Sequence, residues 1–196
     1  MPKVAARRNR SRAQIPDAVR SSVLRRVQHL DPVDRAIVMR ASVIGHRFDL
    51  GVLVAVGTCS EARVRDALER AVRLQLVIED ARACRHYAFR HALTRTILYD
   101  EFLAVRVRPL HRRIARALED TKRAEGAALE DLAYHSWAAG DTGRTLQYNE
   151  RAGDAAAALH AYESARLHYS RARSLLDVES TAYARLTEKL GALDRA

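Results

Sequence analysis

A mainly α-helical fold is predicted for this 196-residue chain by three observations. Apolar residues recur at helical spacing through most of its length. That spacing breaks once, between Gln75 and Leu93, where residues 76–80 and 85–90 alternate and are each short enough to be strands, with 81–84 turning the chain between them. Beyond Gly126 the helical segments come in pairs joined by short connections.

The elements follow in order. Residues 1–14 form a basic leader with almost nothing to bury, which predicts disorder. Of the chain's net charge of +10, +7 falls on the first 26 residues, so the body is close to balanced. Pro16 sits where a helix starts, and Val19, Val23, Leu24, Val27 and Leu30 give it an apolar stripe. Asp31 is a second N-cap, with Pro32 in the first turn and Ile37, Val38 and Ala41 turned inward. Gly45 ends that helix. Asp49 caps a short helix stopped by Gly57, and Ser60 caps a longer one over 61–74 whose Val64, Leu68, Ala71 and Val72 share a face. These helices followed by a single β-hairpin are how a winged helix reads in sequence, here over 15–91.

A helical linker is expected over 92–125, with Ile97, Leu98 and Phe102 in one stripe, Leu110, Ile114 and Leu118 in another, and a break at Pro109. Residues 126–196 complete the chain as helical repeats: 129–139, 142–159, 162–176 and 177–190. The pair over 142–176 is close to the ~34-residue length of a tetratricopeptide repeat. Ala152, Ala155, Ala156 and Ala165 are small enough for helices to approach closely, and Tyr148, Tyr162 and Tyr169 fill the space around them.

Composition excludes several function classes. The longest apolar runs are short and broken by Arg or Asp, which predicts no membrane span. No apolar segment of a secretory signal stands at the N-terminus, and Cys59 and Cys84 form neither a metal-ligand spacing nor a disulfide framework, so a cytoplasmic protein with reduced thiols is expected. Nucleophile signatures such as G-x-S-x-G are absent, and the acidic pairs lie in amphipathic helices where solvation accounts for them; no enzyme is expected, and no metal.

Ile15-Pro16, Leu30-Asp31-Pro32, Ala41-Ser42-Val43-Ile44-Gly45-His46-Arg47-Phe48, Phe89-Arg90-His91-Ala92-Leu93, Leu110-His111-Arg112-Arg113-Ile114-Ala115, and Ala133-Tyr134-His135 through Ala139-Gly140-Asp141 occur in that order. This succession resembles the middle of STAND-type bacterial signalling ATPases, including large LuxR-type transcriptional regulators and ATPases fused to adenylate cyclase domains. The resemblance covers nearly everything after the leader. It implies a winged helix followed by a tetratricopeptide-like sensor array, with a nucleotide-binding protein domain as partner in cis or in trans. It also implies a peptide or small inducer bound on the repeats, and a role in signal transduction or transcription regulation. No G-x-x-x-x-G-K-[ST] occurs, so ADP or ATP is expected only through that partner domain, and the chain reads as a fragment, split gene product or remnant.

Two sets of residues are candidate sites. The resemblance places His91, at the hairpin exit, where an imidazole contacts the ADP phosphate in related ATPases; the bland alternative is a histidine capping the following helix. Arg63, Arg65, Arg70 and Arg73 on the 61–74 helix, with Arg82 and Arg85 in the wing, would serve a DNA-binding winged helix, though Glu61, Asp66 and Glu69 are interleaved with them and a solvated face of mixed pairs is the competing reading. His111 is expected on the wet side of its helix, and His135, His160 and His168 in packing roles, with Trp137 between repeats.

Overall fold

The start signals are where the first helices begin. In this computed structural model, which describes residues 15–80, 85–102, 104–120 and 127–194, α1 (Asp17–Gln28) follows Pro16 directly and buries Val23 and Val27. The leader 1–14, the hairpin turn 81–84 with Arg82, and Gly126 lie outside the described residues. The Asp31 carboxylate accepts the Asp34 N–H at 2.8 Å, opening α2 (Pro32–Ile44), which buries Ile37, Val38 and Ala41. After Gly45 comes β1 (Arg47–Asp49), and Asp49 then accepts the Val52 N–H at 3.1 Å in the first turn of α3 (Leu50–Ala55). Ser60 caps α4 (Glu61–Arg73) through the Arg63 N–H at 3.3 Å. Gln75, at φ 57°, takes the left-handed conformation that swings the chain off α4 into β2 (Val77–Glu79), and β3 (His86–Phe89) returns antiparallel.

The expected single hairpin is a three-stranded antiparallel sheet in the order β1-β3-β2, with Phe48 opposite Tyr87 and Ile78 opposite Ala88. At three residues β1 is too short to display a period of two, which is why the sequence hides it. Phe48 stacks on Tyr87 at 6.0 Å between ring centroids and meets Phe89 at 5.7 Å.

A second correction concerns Pro109. The break falls at Glu101 and Phe102, between α5 (Ala92–Asp100) and α6 (Ala104–Asp120), and Pro109 lies inside α6. Proline removes one N–H donor. The buried stripe of Val107, Leu110, Ile114 and Leu118 nevertheless runs straight past it, and burial of an apolar face sustains a helix better than any one hydrogen bond.

The chain divides into two compact units. The first holds the described residues up to Leu53 with Cys59–Phe102; the second holds Val54–Thr58 and the described residues beyond Phe102. In the second, α7 (Ala127–Ala139) packs on α6, and α8 (Thr142–Ala158), α9 (Tyr162–Arg173) and α10 (Thr181–Leu193) each pack on the helix before them. Gly140 at φ 69° makes the turn out of α7, and Asp141 caps α8 through the Arg144 N–H at 3.1 Å. Ser180 caps α10 through the Tyr183 N–H at 3.2 Å, so that helix starts later than the expected Asp177. Helices α8 and α9 approach so closely at Gly153 that a Cβ there would overlap the Tyr169 ring. Among the described residues no helix is long and apolar enough to cross a membrane.

Candidate functional site

His91 stands at the N-cap position of α5 with an extended backbone, and its carbonyl accepts the Thr94 N–H at 3.0 Å. Its imidazole makes no capping hydrogen bond and is exposed. The capping role weighed for it is therefore not what the side chain does.

Three of the four arginines of α4 are committed to acids. Asp34, on the buried face of α2 and 0% exposed, is gripped by the guanidinium groups of Arg63 and Arg70, with a further Arg70 Nη2 contact to Oδ1 at 3.0 Å. Arg63 also donates to both oxygens of Asp31, at 3.2 and 3.0 Å. Hydrogen bonding from Arg70 outweighs burial and, together with Arg63, holds the Asp34 carboxyl below the usual carboxylate range. Arg65 and Arg85 both bond Glu61, at 2.8 and 3.0 Å. Arg73 is exposed, beside a shallow hollow lined by Arg65, Glu69, Val72, Glu79 and Tyr87. Four of the five described arginines in the DNA-binding set are thus held in intramolecular pairs. The sequence does carry a signal for this lock: Asp34 shares the i, i+3, i+4, i+7 face with Ile37, Val38 and Ala41, an acid in an apolar stripe that needs a cation from elsewhere.

The second unit contains a buried polar spine. Asn149 on α8 donates to the carbonyls of Ala133 at 3.1 Å and Thr145 at 3.0 Å, and its Oδ1 accepts from His168 Nδ1 on α9 at 3.1 Å. Burial, then the neighbouring Arg171 charge, pull the His168 imidazole below its ordinary value. His111 is fully buried, contrary to its expected place on the wet side, and its Nδ1 lies 2.7 Å from Nδ1 of His135, one ring donating and the other accepting. A histidine flanked by two arginines looks solvent-facing, but on α6 it sits between Val107 and Ile114 at helical spacing and turns with them. His135 and His168 are core residues, as expected, and His160 is exposed.

Ionic clamps join alternate helices here. Arg144 on α8 bonds Glu119 on α6 at 2.8 Å, and the Tyr148 hydroxyl donates to the same carboxylate at 2.8 Å. Arg185 and Lys189 on α10 reach Glu150 on α8 at 2.8 and 3.0 Å. Between α7 and α9 the link is of another kind: the Arg171 guanidinium lies over the Trp137 ring at 4.6 Å. Trp137 keeps 41% of its surface exposed, so it packs against α9 from one side only.

Among the described residues no group of three or more His, Cys, Asp or Glu side chains is placed to hold a metal ion. No protein-family model matches this chain, and no curated protein or solved structure matches it.

Proposed function

We propose that this chain is a non-catalytic regulatory and interaction module, in which a winged-helix unit docks on a nucleotide-binding partner domain and tetratricopeptide-like helices receive a peptide or small inducer. The observation that carries this reading is the layering of the second unit. Helix α8 is clamped to α6 on one side and to α10 on the other, while α7 reaches α9 through Trp137 and Arg171. Helices alternating between two layers in this way are how helical repeats build an extended binding face. The equivalent Trp137 and Arg171 also stand one ~34-residue repeat apart. In the first unit, the amphipathic α4 running into a hairpin closed by β1 supports the winged-helix reading.

His91 is the residue assigned to the partner's nucleotide. Its imidazole is exposed and uncommitted to the helix it precedes, so it is able to donate to a phosphate oxygen of ADP held in the partner domain. Inducer binding on the repeats then shifts the closed–open equilibrium of the pair by its differential affinity for the two states.

The test is capture of the tagged full chain from its own cells, followed by reconstitution with the protein it retains. The expected partner carries a nucleotide-binding domain, and His91→Ala releases ADP from the pair several-fold faster. A purified chain that hydrolyses a nucleoside triphosphate alone overturns the reading. So does a tight, sequence-dependent complex with DNA at physiological salt, which would favour the winged helix as a DNA reader.

A further inference from the structure

We propose that Trp137 and Arg171 are the anchor of a binding site on the α7/α9 face for an acidic, extended peptide, one carboxylate seating on the Arg171 guanidinium and a neighbouring apolar side chain lying against Trp137 and Leu167. This rests on the reading of the second unit as a peptide-receiving array and gives it a location and a ligand chemistry.

Arg171 differs from Arg144, Arg185 and Arg166 in what surrounds it. Arg144 and Arg185 hold carboxylates, and Arg166 is paired with Asp194 at 2.5 Å. Arg171 lies half-buried over an indole with no carboxylate within ion-pair reach among the described residues. Burial pulls its guanidinium down from the ordinary value, whereas acids push those of Arg144 and Arg185 up. A carboxylate arriving in the fork would offset that desolvation with two parallel hydrogen bonds, in the geometry arginine matches best.

The surface beside the pair is open and in part apolar. Leu167 precedes Arg171 by one turn of α9, so both lie on the same face, and Leu167 is 50% exposed. An exposed Trp and Leu beside a guanidinium have the composition of an interface anchor, since Trp and Arg are the residues that most often dominate binding energy. The remaining charge favours a single carboxylate over a chain of phosphates. His168, beneath Arg171, is held toward its neutral form, and Glu130 on α7 is exposed near it, which repels a polyanionic backbone. The guanidinium already covers one face of the indole, which leaves less of it for a stacked base.

Trp137 is the single tryptophan of the chain, so its fluorescence reports on this site and no other. The full chain is titrated with a capped peptide of alternating Asp and Leu, with its Asn–Leu analogue, and with a single-stranded oligonucleotide, each at physiological salt. Expected is a saturable emission change with the acidic peptide, weakened about tenfold by Arg171→Met, which keeps an aliphatic stem over the indole, and partly retained by Arg171→Lys. Leu167→Ala, at an exposed position, weakens the same titration without altering the circular dichroism. Equal binding of the Asn–Leu analogue, an unchanged titration in Arg171→Met, a response to the oligonucleotide alone, or no response to the acidic peptide each overturns the assignment. None of these outcomes bears on His91 or on ADP retention in the reconstituted pair, so this site fails separately from the module that holds it.

Discussion

In the first unit the guanidinium groups of Arg63 and Arg70 on α4 converge on an acid carried by α2, whereas in the second the Arg171 guanidinium of α9 rests on the Trp137 ring of α7 with no carboxylate in ion-pair reach among the described residues. Both arrangements join helices distant in sequence. The first is closed: Asp34 is wholly buried, and its removal would take from Arg70 the carboxylate it bonds and leave Arg63 with Asp31 alone. The second is open: Trp137 keeps solvent on one face, and a cation without a carboxylate is a group still able to accept one. Charge that is neutralised inside a unit serves the fold, and charge left over is available for recognition.

The sharpest way to break this comparison is at Asp34. Asp34→Ala is expected to destabilise the chain by about 3 kcal/mol in urea unfolding, the low end for breaking a buried pair because both arginines reach solvent. Arg171→Met should leave the same midpoint nearly unmoved. If the two substitutions cost the same, α4 and α9 do not differ in the way argued here.

Next in size is Gly153→Ala. Tyr169 is unable to swing away from an added methyl, because its ring is buried and its hydroxyl donates to Asp154 at 2.7 Å. Overpacking of this kind costs roughly 2 kcal/mol, read as a lower urea midpoint of the α8–α9 region by hydrogen exchange.

The division between legible and hidden features follows from range. Caps at Asp31 and Ser60 are local, since each side chain answers an N–H three residues on, and a single sequence shows them. The hairpin strands were legible from their alternation, but β1 exists only because β3 is beside it. The same holds at the candidate sites. His91 could be placed from its position after the hairpin, yet whether its ring caps α5 depends on a side-chain orientation that no spacing encodes. The Asp34 lock and the Trp137–Arg171 pair each join two helices, and only a repeat offset or an acid in an apolar stripe hints at them.

Acid distinguishes the units further. The folded-state pKa of His168 is lowered, so its neutral form contributes stability above the ordinary imidazole value near ~6.5 that is lost as pH falls below it. Asp34, also lowered, contributes stability present above the ordinary carboxylate value near ~3.9 and lost only as pH falls below that. Hydrogen exchange followed from pH 7.5 to 5, choices of buffer set by these ordinary values, should loosen α8 and α9 first while α2 and α4 hold. His168→Gln, which keeps a donor toward Asn149, should remove part of that early loss. Simultaneous loosening of both units would show that the polar spine is not the acid-sensitive element.

The smallest effect is expected on the solvent side of α4. Glu61 pairs with Arg65 and Arg85, but all three side chains are largely exposed, and such pairs give little net stabilisation because water and salt screen them. Glu61→Gln should therefore leave the urea midpoint within error and lower the affinity for no peptide, while weakening the Glu61 contacts of Arg65 and Arg85. If that weakening created tight DNA binding at physiological salt, the arginines of α4 would be restrained readers of phosphate and not a structural set. If it lowered the midpoint as far as Asp34→Ala does, exposure would be a poor guide to which charges hold this unit together, and the contrast between a closed and an open cation would lose its physical basis.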